Sequence, residues 1–400
     1  MTRREGSPLT GVPLLSDLGD IDGAAVLVRT DFNVPIEGSE YGACHVVDDF
    51  RIRSALPTIE WLQAHGATVT AASHLGRPTH DGPVRCWMDP VRRALATLAP
   101  GVSLLENLRF DPGEEANDPA FLDRLVRGFD AYVNEAFGVA HRAHASVVGP
   151  PTRLPSAAGI RLAEEVDVLG RLLVEPQRPF VAVVGGSKVH DKLGVLRSLA
   201  DRADVLLIGG AMAFTFFAAL GRDVGASLLD VEHIASCEQL LKDYKNIVLP
   251  SDVLALEPGG VFGSEPPAVG PRSDTKVMGQ ELPYGWKGLD IGPDTADTFA
   301  ATIGGARTLF WNGPLGAIED ERFASGTRRV AEAVAACAGY TMVGGGDSAM
   351  VVDTLGLAEH IDFVSTGGGA SLALIENGDL PALAALRGAP NAATAQRRRR

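Results

Sequence analysis

The chain has 400 residues, enough for two or three domains at about 150 residues each. It is 46% hydrophobic and 22% charged, the composition of a soluble globular protein and not of a disordered or fibrous one. Lys plus Arg is 36 against 50 Asp plus Glu, a net charge of −14, which argues against nucleic acid or an anionic membrane as partner. Four cysteines (Cys44, Cys86, Cys237, Cys337) stand far apart, so neither a disulfide framework nor a zinc site is expected, and a cytoplasmic location fits. Arg3 and Arg4 are followed by no apolar stretch, so no signal peptide is expected.

In chain order, short apolar runs predict strands at Val26–Val28, Thr68–Ala72, Val102–Leu105, Ala131–Val133, Phe180–Val184, Val205–Ile208, Ile247–Leu249, Thr308–Trp311, Thr341–Val343 and Phe363–Val364. Continuous apolar character implies burial on both faces, as in a parallel sheet. Helical patterns such as Val189–Ala200 and Ala324–Ala336 lie between them, giving an α/β class. The uncharged run Val205–Gly221 is short for a membrane span and reads as a buried strand, turn and helix. A helix over Ala163–Pro179, ending at Pro176, separates two halves of similar build. Glu257–Gly288 is dense in Gly and Pro and is expected to loop out. Gly388–Arg400, with four terminal arginines, reads as a solvated tail.

Nearly every predicted strand is followed at once by polar or glycine-rich residues. In open α/β sheets, ligands bind beyond the carboxyl ends of the strands. The first half offers Arg29, Arg51, Arg53, His74, Arg77, Arg109, His141, Arg142 and His144. Several guanidinium forks suit a small, highly anionic ligand. Asp31 and Asn33 either hydrogen-bond a substrate hydroxyl or form an Asx turn. The second half offers glycine turns at Gly185–Lys188, Gly209–Met212, Gly344–Ser348 and Ser365–Ser371, whose backbone N–H groups suit a polyphosphate. Lys188 and Lys192 are four apart and are expected on one helix face. Asp347 is either an N-cap or a carboxylate for a magnesium–nucleotide. Glu319, beside Asp320 and Glu321, reads as surface acid. Gly344-x-Gly346-x-x-Ala349 matches a dinucleotide fingerprint, but Asp362 precedes the next strand instead of ending it, against a dehydrogenase.

These motifs, in this order, resemble phosphoglycerate kinase. RTDFNVP (Arg29–Pro35), DDFRIRSALPTI (Asp48–Ile59), SHLGRP (Ser73–Pro78), LLENLRF (Leu104–Phe110) and NEAFGVAHRAHAS (Asn134–Ser146) carry the resemblance in the first half. VAVVGGSKVHDKLGV (Val181–Val195), IGGAMAFTF (Ile208–Phe216), GLDIGP (Gly288–Pro293), WNGPLGAIE (Trp311–Glu319), GGGDS (Gly344–Ser348) and STGGGASL (Ser365–Leu372) carry it in the second. The resemblance implies two Rossmann-like domains, each a mostly parallel sheet with helices on both faces, joined by a helix and hinge. The implied division is 1–163 for the phosphoglycerate domain, 164–179 for the linker helix, 180–372 for the nucleotide domain, and 373–400 returning to the first.

The same resemblance implies that Asp31, Phe32, Asn33, Arg51, His74, Leu75, Gly76, Arg77, Arg109 and Arg142 bind 3-phosphoglycerate or 1,3-bisphosphoglycerate. It implies that Lys192, Gly209, Gly210, Gly288, Glu319, Gly345, Gly346, Asp347 and Ser348 bind ATP or ADP, with Asp347 holding Mg²⁺. Arg51, Lys188 and Gly367, Gly368 and Gly369 would face the transferring phosphoryl group. A cytoplasmic monomer is expected, without nucleic-acid or membrane partners. Glu135 stands where the family usually has Asp, Ser187 and Ser348 stand for the commoner Ala and Thr, and Ala317–Ile318 for the usual Val-Phe. Thr79–Ser103 is shorter than usual, so the first sheet is expected to lack an element. The competing reading is a non-catalytic nucleotide-binding relative, which loss of Arg51, Lys188 or Asp347 would signal; all three are present.

Overall fold

The computed structural model describes residues 6–38, 44–78, 87–263 and 274–390. The arginine tail, Arg3 and Arg4, Cys86 and the first part of the Thr79–Ser103 segment lie outside them. The chain forms two compact units, one of residues up to 174 together with those from 377, the other of residues 175–376.

In the first unit the strands are β1 (Ala25–Arg29), β2 (Ile36–Glu37), β3 (His45–Val46), β4 (Thr68–Ala72), β5 (Ser103–Leu104), β6 (Ala131–Asn134) and β7 (Ser156–Ala158). A parallel five-stranded sheet runs β5-β4-β1-β6-β7, while β2 and β3 pair antiparallel beside it. Alternate side chains of β1 serve two cores, Val26 and Val28 on one face and Leu27 on the other. Helix Phe50–Ala64 forms because Ile52, Ala55, Ile59 and Leu62 recur at helical spacing and bury one stripe on the first of these cores. Helix Asp89–Leu98 supplies a covering element even within the shortened segment. Helix Ile160–Val174 closes the first stretch of the unit, ending two residues before Pro176. Helix Pro381–Arg387 also belongs to this unit, burying Ala382, Leu383 and Leu386. The Arg387 guanidinium donates to the carbonyls of Thr10 at 3.0 Å and Pro8 at 2.6 Å.

The second unit contains β8 (Phe180–Val184), β9 (Val205–Ile208), β10 (Ile247–Val248), β11 (Val253–Leu256), β12 (Thr275–Met278), β13 (Lys287–Ile291), β14 (Thr308–Asn312), β15 (Tyr340–Gly344) and β16 (Phe363–Val364). Its parallel six-stranded sheet runs β10-β9-β8-β14-β15-β16. Every residue of β8 and β14 is buried, as a continuous apolar run requires. The Gly- and Pro-rich region is not simply a loop. Thr275–Met278 and Lys287–Ile291 flank Val253–Leu256 in a three-stranded antiparallel sheet. The two flanking strands alternate or are part-exposed, so they lack the continuous apolar signature that marks the central strands.

No helix among the described residues is long and apolar enough to cross a membrane.

Candidate active site

Each parallel sheet reverses its strand order once, between β1 and β6 in the first unit and between β8 and β14 in the second. The crevice at such a switch point, beyond the carboxyl ends of the strands, is the expected ligand site.

In the first unit, short polar side chains knit the strand-end loops together. The Phe32 N–H donates to Ser73 Oγ at 2.8 Å, and Asn33 Oδ1 accepts the Gly76 N–H at 2.8 Å. Phe32 and Leu75 are both buried, so their part is to hold the loops. Asn107, after β5, accepts the Leu75 N–H at 3.3 Å and donates to the Leu75 carbonyl at 2.7 Å. Sequence reasoning passed over Asn107, although a polar residue at the end of an apolar run signalled it.

On this frame sit the charges. Arg51 Nη1 lies 3.0 Å from Asp31 Oδ2, whereas the Asx contact from the Asn33 N–H to Asp31 Oδ1 is long at 3.4 Å. Asp31 is therefore held mainly by Arg51. His74 is buried, with Nδ1 3.4 Å from Arg29 Nη2 and 3.9 Å from Asp31 Oδ1. Burial, then the charges of Arg29, Arg109, Arg142 and Arg51, hold its pKa well below the usual imidazole value. The same four guanidiniums thus surround one neutral ring. Arg109 Nη1 donates to the Gly76 carbonyl at 2.7 Å, and its Nε lies 3.0 Å from Glu115 Oε1. Arg142 is half-buried beside His141, and Arg77 is exposed on its loop.

Arg29 has a different role. It is 1% exposed, donates from Nε to Ser146 Oγ at 2.7 Å and from Nη1 to the Thr30 carbonyl, and lies 3.9 Å from buried Glu114. It ties β1 to the Ala145–Val148 helix. Glu135 is buried too. Its carboxylate accepts the Thr58 hydroxyl at 2.8 Å and the first-turn N–H groups of Arg161 at 3.1 Å and Leu162 at 3.3 Å. It thus caps the helix Ile160–Val174 and joins it to helix Phe50–Ala64.

In the second unit two of the four expected glycine turns, Gly185–Lys188 and Gly209–Met212, spend glycine N–H groups on backbone carbonyls. The Gly185 N–H donates to Asn312 O at 2.9 Å, Gly186 to Pro314 O at 3.0 Å, Gly209 to Val184 O at 3.0 Å and Gly210 to Leu315 O at 3.0 Å. These bonds lock β8, β9 and β14 at the switch point. Gly210 has φ +69, and a Cβ there would stand 2.6 Å from the Gly186 nitrogen, so only glycine fits. Gly209 and Gly210 therefore shape the crevice floor. Gly288 lies buried in β13 against the Phe214 ring.

Two helix N-termini remain with first-turn donors, Gly346–Thr354 and Gly368–Asn377. A Cβ on Gly368 would stand 2.4 Å from Gly345 Cα, so the two termini approach backbone to backbone. Gly345 is the N-cap residue and Asp347 lies in the first turn, so of the two alternatives for Asp347 the N-cap is not formed. Asp347 is exposed, free to reach a ligand. Ser348 is buried and its hydroxyl accepts the Gly313 N–H at 2.6 Å.

Lys188 and Lys192 do not share a helix face. Lys188 is exposed and lies outside any helix, whereas Lys192 ends a 3₁₀ turn, His190–Lys192. Lys192 Nζ donates to the Gly185 carbonyl at 2.6 Å and to Asn312 Oδ1 at 2.8 Å. Burial brings its pKa down to about 8, opposed by the attraction of Asp347 and Asp191. Asn312, which also donates to the Gly344 carbonyl at 2.7 Å, joins strand β14 to the lysine and to β15. The Asn-Gly-Pro turn after an apolar run is its signal in the sequence.

Glu319 lines a cavity of about 840 Å³ with Ile318, Met350 and Thr354, a size suited to a small molecule. Lys192, Gly209 and Gly210 are not among its lining residues. The neighbour Asp320 is no surface acid: it is 1% exposed and paired with Arg322, which also holds Asp274 at 2.6 Å. Asp362 accepts the Thr341 N–H at 2.8 Å and its hydroxyl at 3.0 Å, so it is engaged inside the sheet and not offered to a ribose.

The family model described as "Phosphoglycerate kinase" matches residues 15–101 and 84–378. The chain is 48% identical over 391 residues to "Phosphoglycerate kinase" of Rubrobacter xylanophilus, covering 92% of this chain and 96% of that relative. It is 46% identical over 401 residues to "Phosphoglycerate kinase" of Moorella thermoacetica, covering 93% and 98%. Among solved structures, the phosphoglycerate kinase from Coxiella burnetii superposes with a TM-score of 0.80 at 33% identity, covering 94% of this chain and 98% of the other. The phosphoglycerate kinase from Pyrococcus horikoshii gives 0.79 at 27% identity, again over 94% and 98%.

Proposed function

The chain belongs to the phosphoglycerate kinase family, and from that premise we propose which of its residues carry the reaction. It is a phosphotransferase that moves a phosphoryl group reversibly between 1,3-bisphosphoglycerate and ADP, giving 3-phosphoglycerate and ATP. The observation that carries the residue assignment is the cluster at the strand ends of the first unit, where Arg51 Nη1 lies 3.0 Å from Asp31 Oδ2 and His74 Nδ1 lies 3.9 Å from Asp31 Oδ1.

In this reading the first unit binds the phosphoglycerate. Arg77, Arg109 and Arg142 take its anionic oxygens as planar forks, while Asp31, Asn33 and His74 orient the hydroxyl and carboxyl end. The second unit binds the nucleotide. Lys192 and the helix termini at Gly345–Asp347 take the phosphates, and Glu319 lies at the cavity that would receive the nucleoside. One exposed carboxylate at a helix N-terminus, beside substrate phosphates, is a donor set that fits magnesium. Asp347 would hold Mg²⁺, which when bound neutralises phosphate charge.

The acceptor is a phosphate or a carboxylate, already an anion, so no general base is required. Arg51, Lys188 and the N–H groups of Gly367–Gly369 stabilise the charge on the moving phosphoryl group. Holding both reactants in line contributes roughly 7–11 kcal/mol in favourable cases. Donor and acceptor are assigned to different units, so transfer needs hinge closure, which also excludes water from the acyl phosphate. We propose a cytoplasmic monomer, and the acidic net charge supports a reading without nucleic-acid or anionic-membrane partners.

Purified chain with MgATP and 3-phosphoglycerate, read through coupled oxidation of NADH, tests the assignment. Arg51→Ala is expected to lower kcat by about 100- to 1000-fold, the usual cost of removing one donor to developing charge. Unchanged kcat in that variant would remove Arg51 from the transfer step.

A further inference from the structure

Outside the nucleotide residues, the second unit brings together two imidazoles and a carboxylate. His190 Nδ1 lies 3.0 Å from Asp230 Oδ2, and His233 Nδ1 lies 2.8 Å from Asp230 Oδ1. One ligand atom from each of the three residues falls within 4.8 Å of the others. The two rings face each other with centroids 5.6 Å apart. We infer that His190, Asp230 and His233 form a binding site for a transition-metal cation of the zinc class, distinct from the magnesium that accompanies the nucleotide.

The donor set decides the class. Two neutral imidazole nitrogens and one carboxylate oxygen suit Zn²⁺, Co²⁺ or Ni²⁺, whereas Mg²⁺ and Ca²⁺ prefer oxygen alone. A cation bonded to both Nδ1 atoms leaves each ring its proton on Nε2. For His190 that proton already has an acceptor: Nε2 lies 3.1 Å from Asp191 Oδ1. A ligating histidine whose other nitrogen donates to a carboxylate is the usual outer arrangement of such sites. Asp230 is fixed in turn by its own N–H, which donates to Thr215 Oγ1 at 3.2 Å. The side chains of His190, Asp230 and His233 are 41%, 18% and 28% exposed, so a cation can enter and keep water in its remaining positions.

The placement gives the site a consequence. His190 opens the 3₁₀ turn that ends in Lys192, and Asp230–His233 precedes helix Ile234–Asp243. A bound cation fastens the segment between Lys188 and Lys192 to that second turn.

The test uses the full chain, stripped of metal by a chelator and titrated with Zn²⁺ against a chromophoric competitor. Co²⁺ serves as a second probe through its visible absorption. One equivalent of Zn²⁺ is expected, with Co²⁺ bands marking fewer than six ligands. His233→Ala and His190→Asn should each lose that equivalent, while Asp191→Asn weakens it about 10- to 100-fold. His65→Ala, in the first unit, should bind like the parent. Circular dichroism confirms that each variant is folded. If the parent takes up no Zn²⁺, or if folded His233→Ala takes up as much as the parent, the inference fails and Asp230 merely shares two hydrogen bonds.

Discussion

Arg29 and Arg51 stand 22 positions apart, and residue type alone does not rank them. Burial does. Arg29 is 1% exposed, with its donors spent on Ser146 and Thr30, whereas the Arg51 side chain is 31% exposed and holds only Asp31. Glu135 shows the same logic for an acid. Its longer side chain reaches the first turn of helix Ile160–Val174, so the departure from the usual Asp is compatible with a structural cap. Burial pushes the Glu135 carboxyl up to about 8, against hydrogen bonds from Thr58, Arg161 and Leu162. The fold therefore favours the neutral acid, and between about 4.5 and about 8 the folded chain binds more protons than the unfolded one. Stability should fall as pH rises through that window, and Glu135→Gln should flatten the fall; urea titrations from pH 5 to about 9 measure both. Near pH 5, Glu135→Ala should cost about 1–3 kcal/mol, because buried donors lose their acceptor.

At the scale of elements, strand positions were legible because full burial demands unbroken apolar runs. All ten runs named from the sequence coincide with strands. The separate sheet of β11, β12 and β13 was not legible, since part-exposed β12 and β13 border a Gly- and Pro-rich region that reads as loop. The glycine turns were legible as glycine turns but not in their job. The glycine N–H groups of the turns after β8 and β9 bond to neighbouring strands and turns, so much of the value of these two turns is close backbone approach. Gly210→Ala tests this. The new Cβ would meet backbone at 2.6 Å from a residue at φ +69, so stability of the nucleotide unit should drop by about 1–3 kcal/mol. Thermal unfolding with and without ADP would show it as a lower midpoint. A variant as stable as the parent would mean that the turns are loosely packed.

At the scale of the whole molecule, the chain leaves the first unit after Val174 and comes back to it from Asn377. Leu383, 0% exposed on helix Pro381–Arg387, belongs to the first unit's packing although it lies near the end of the sequence. Leu383→Ala should cost that unit about 2–5 kcal/mol. Calorimetry should then show the first unit melting earlier while the nucleotide-stabilised transition of the second stays in place; a common shift of both would mean that the units unfold together. Net charge also reads differently at this scale. A total of −14 excludes large anionic partners in principle, yet locally placed Arg and Lys still make sites for small phosphates.

By itself the sequence determined the α/β class, the strands that build the two central sheets except the short β7, the family, and the loops in which the chemistry sits. Those features follow from local pattern: apolar runs, strand-end polar residues and ordered motifs. Only the tertiary structure decided which arginine is buried and which is available, that Lys192 is held by Gly185 and Asn312 while Lys188 stands clear, and that His190, Asp230 and His233 meet. Burial and long-range hydrogen bonding set those outcomes. Neither is written in the spacing of neighbours along the chain.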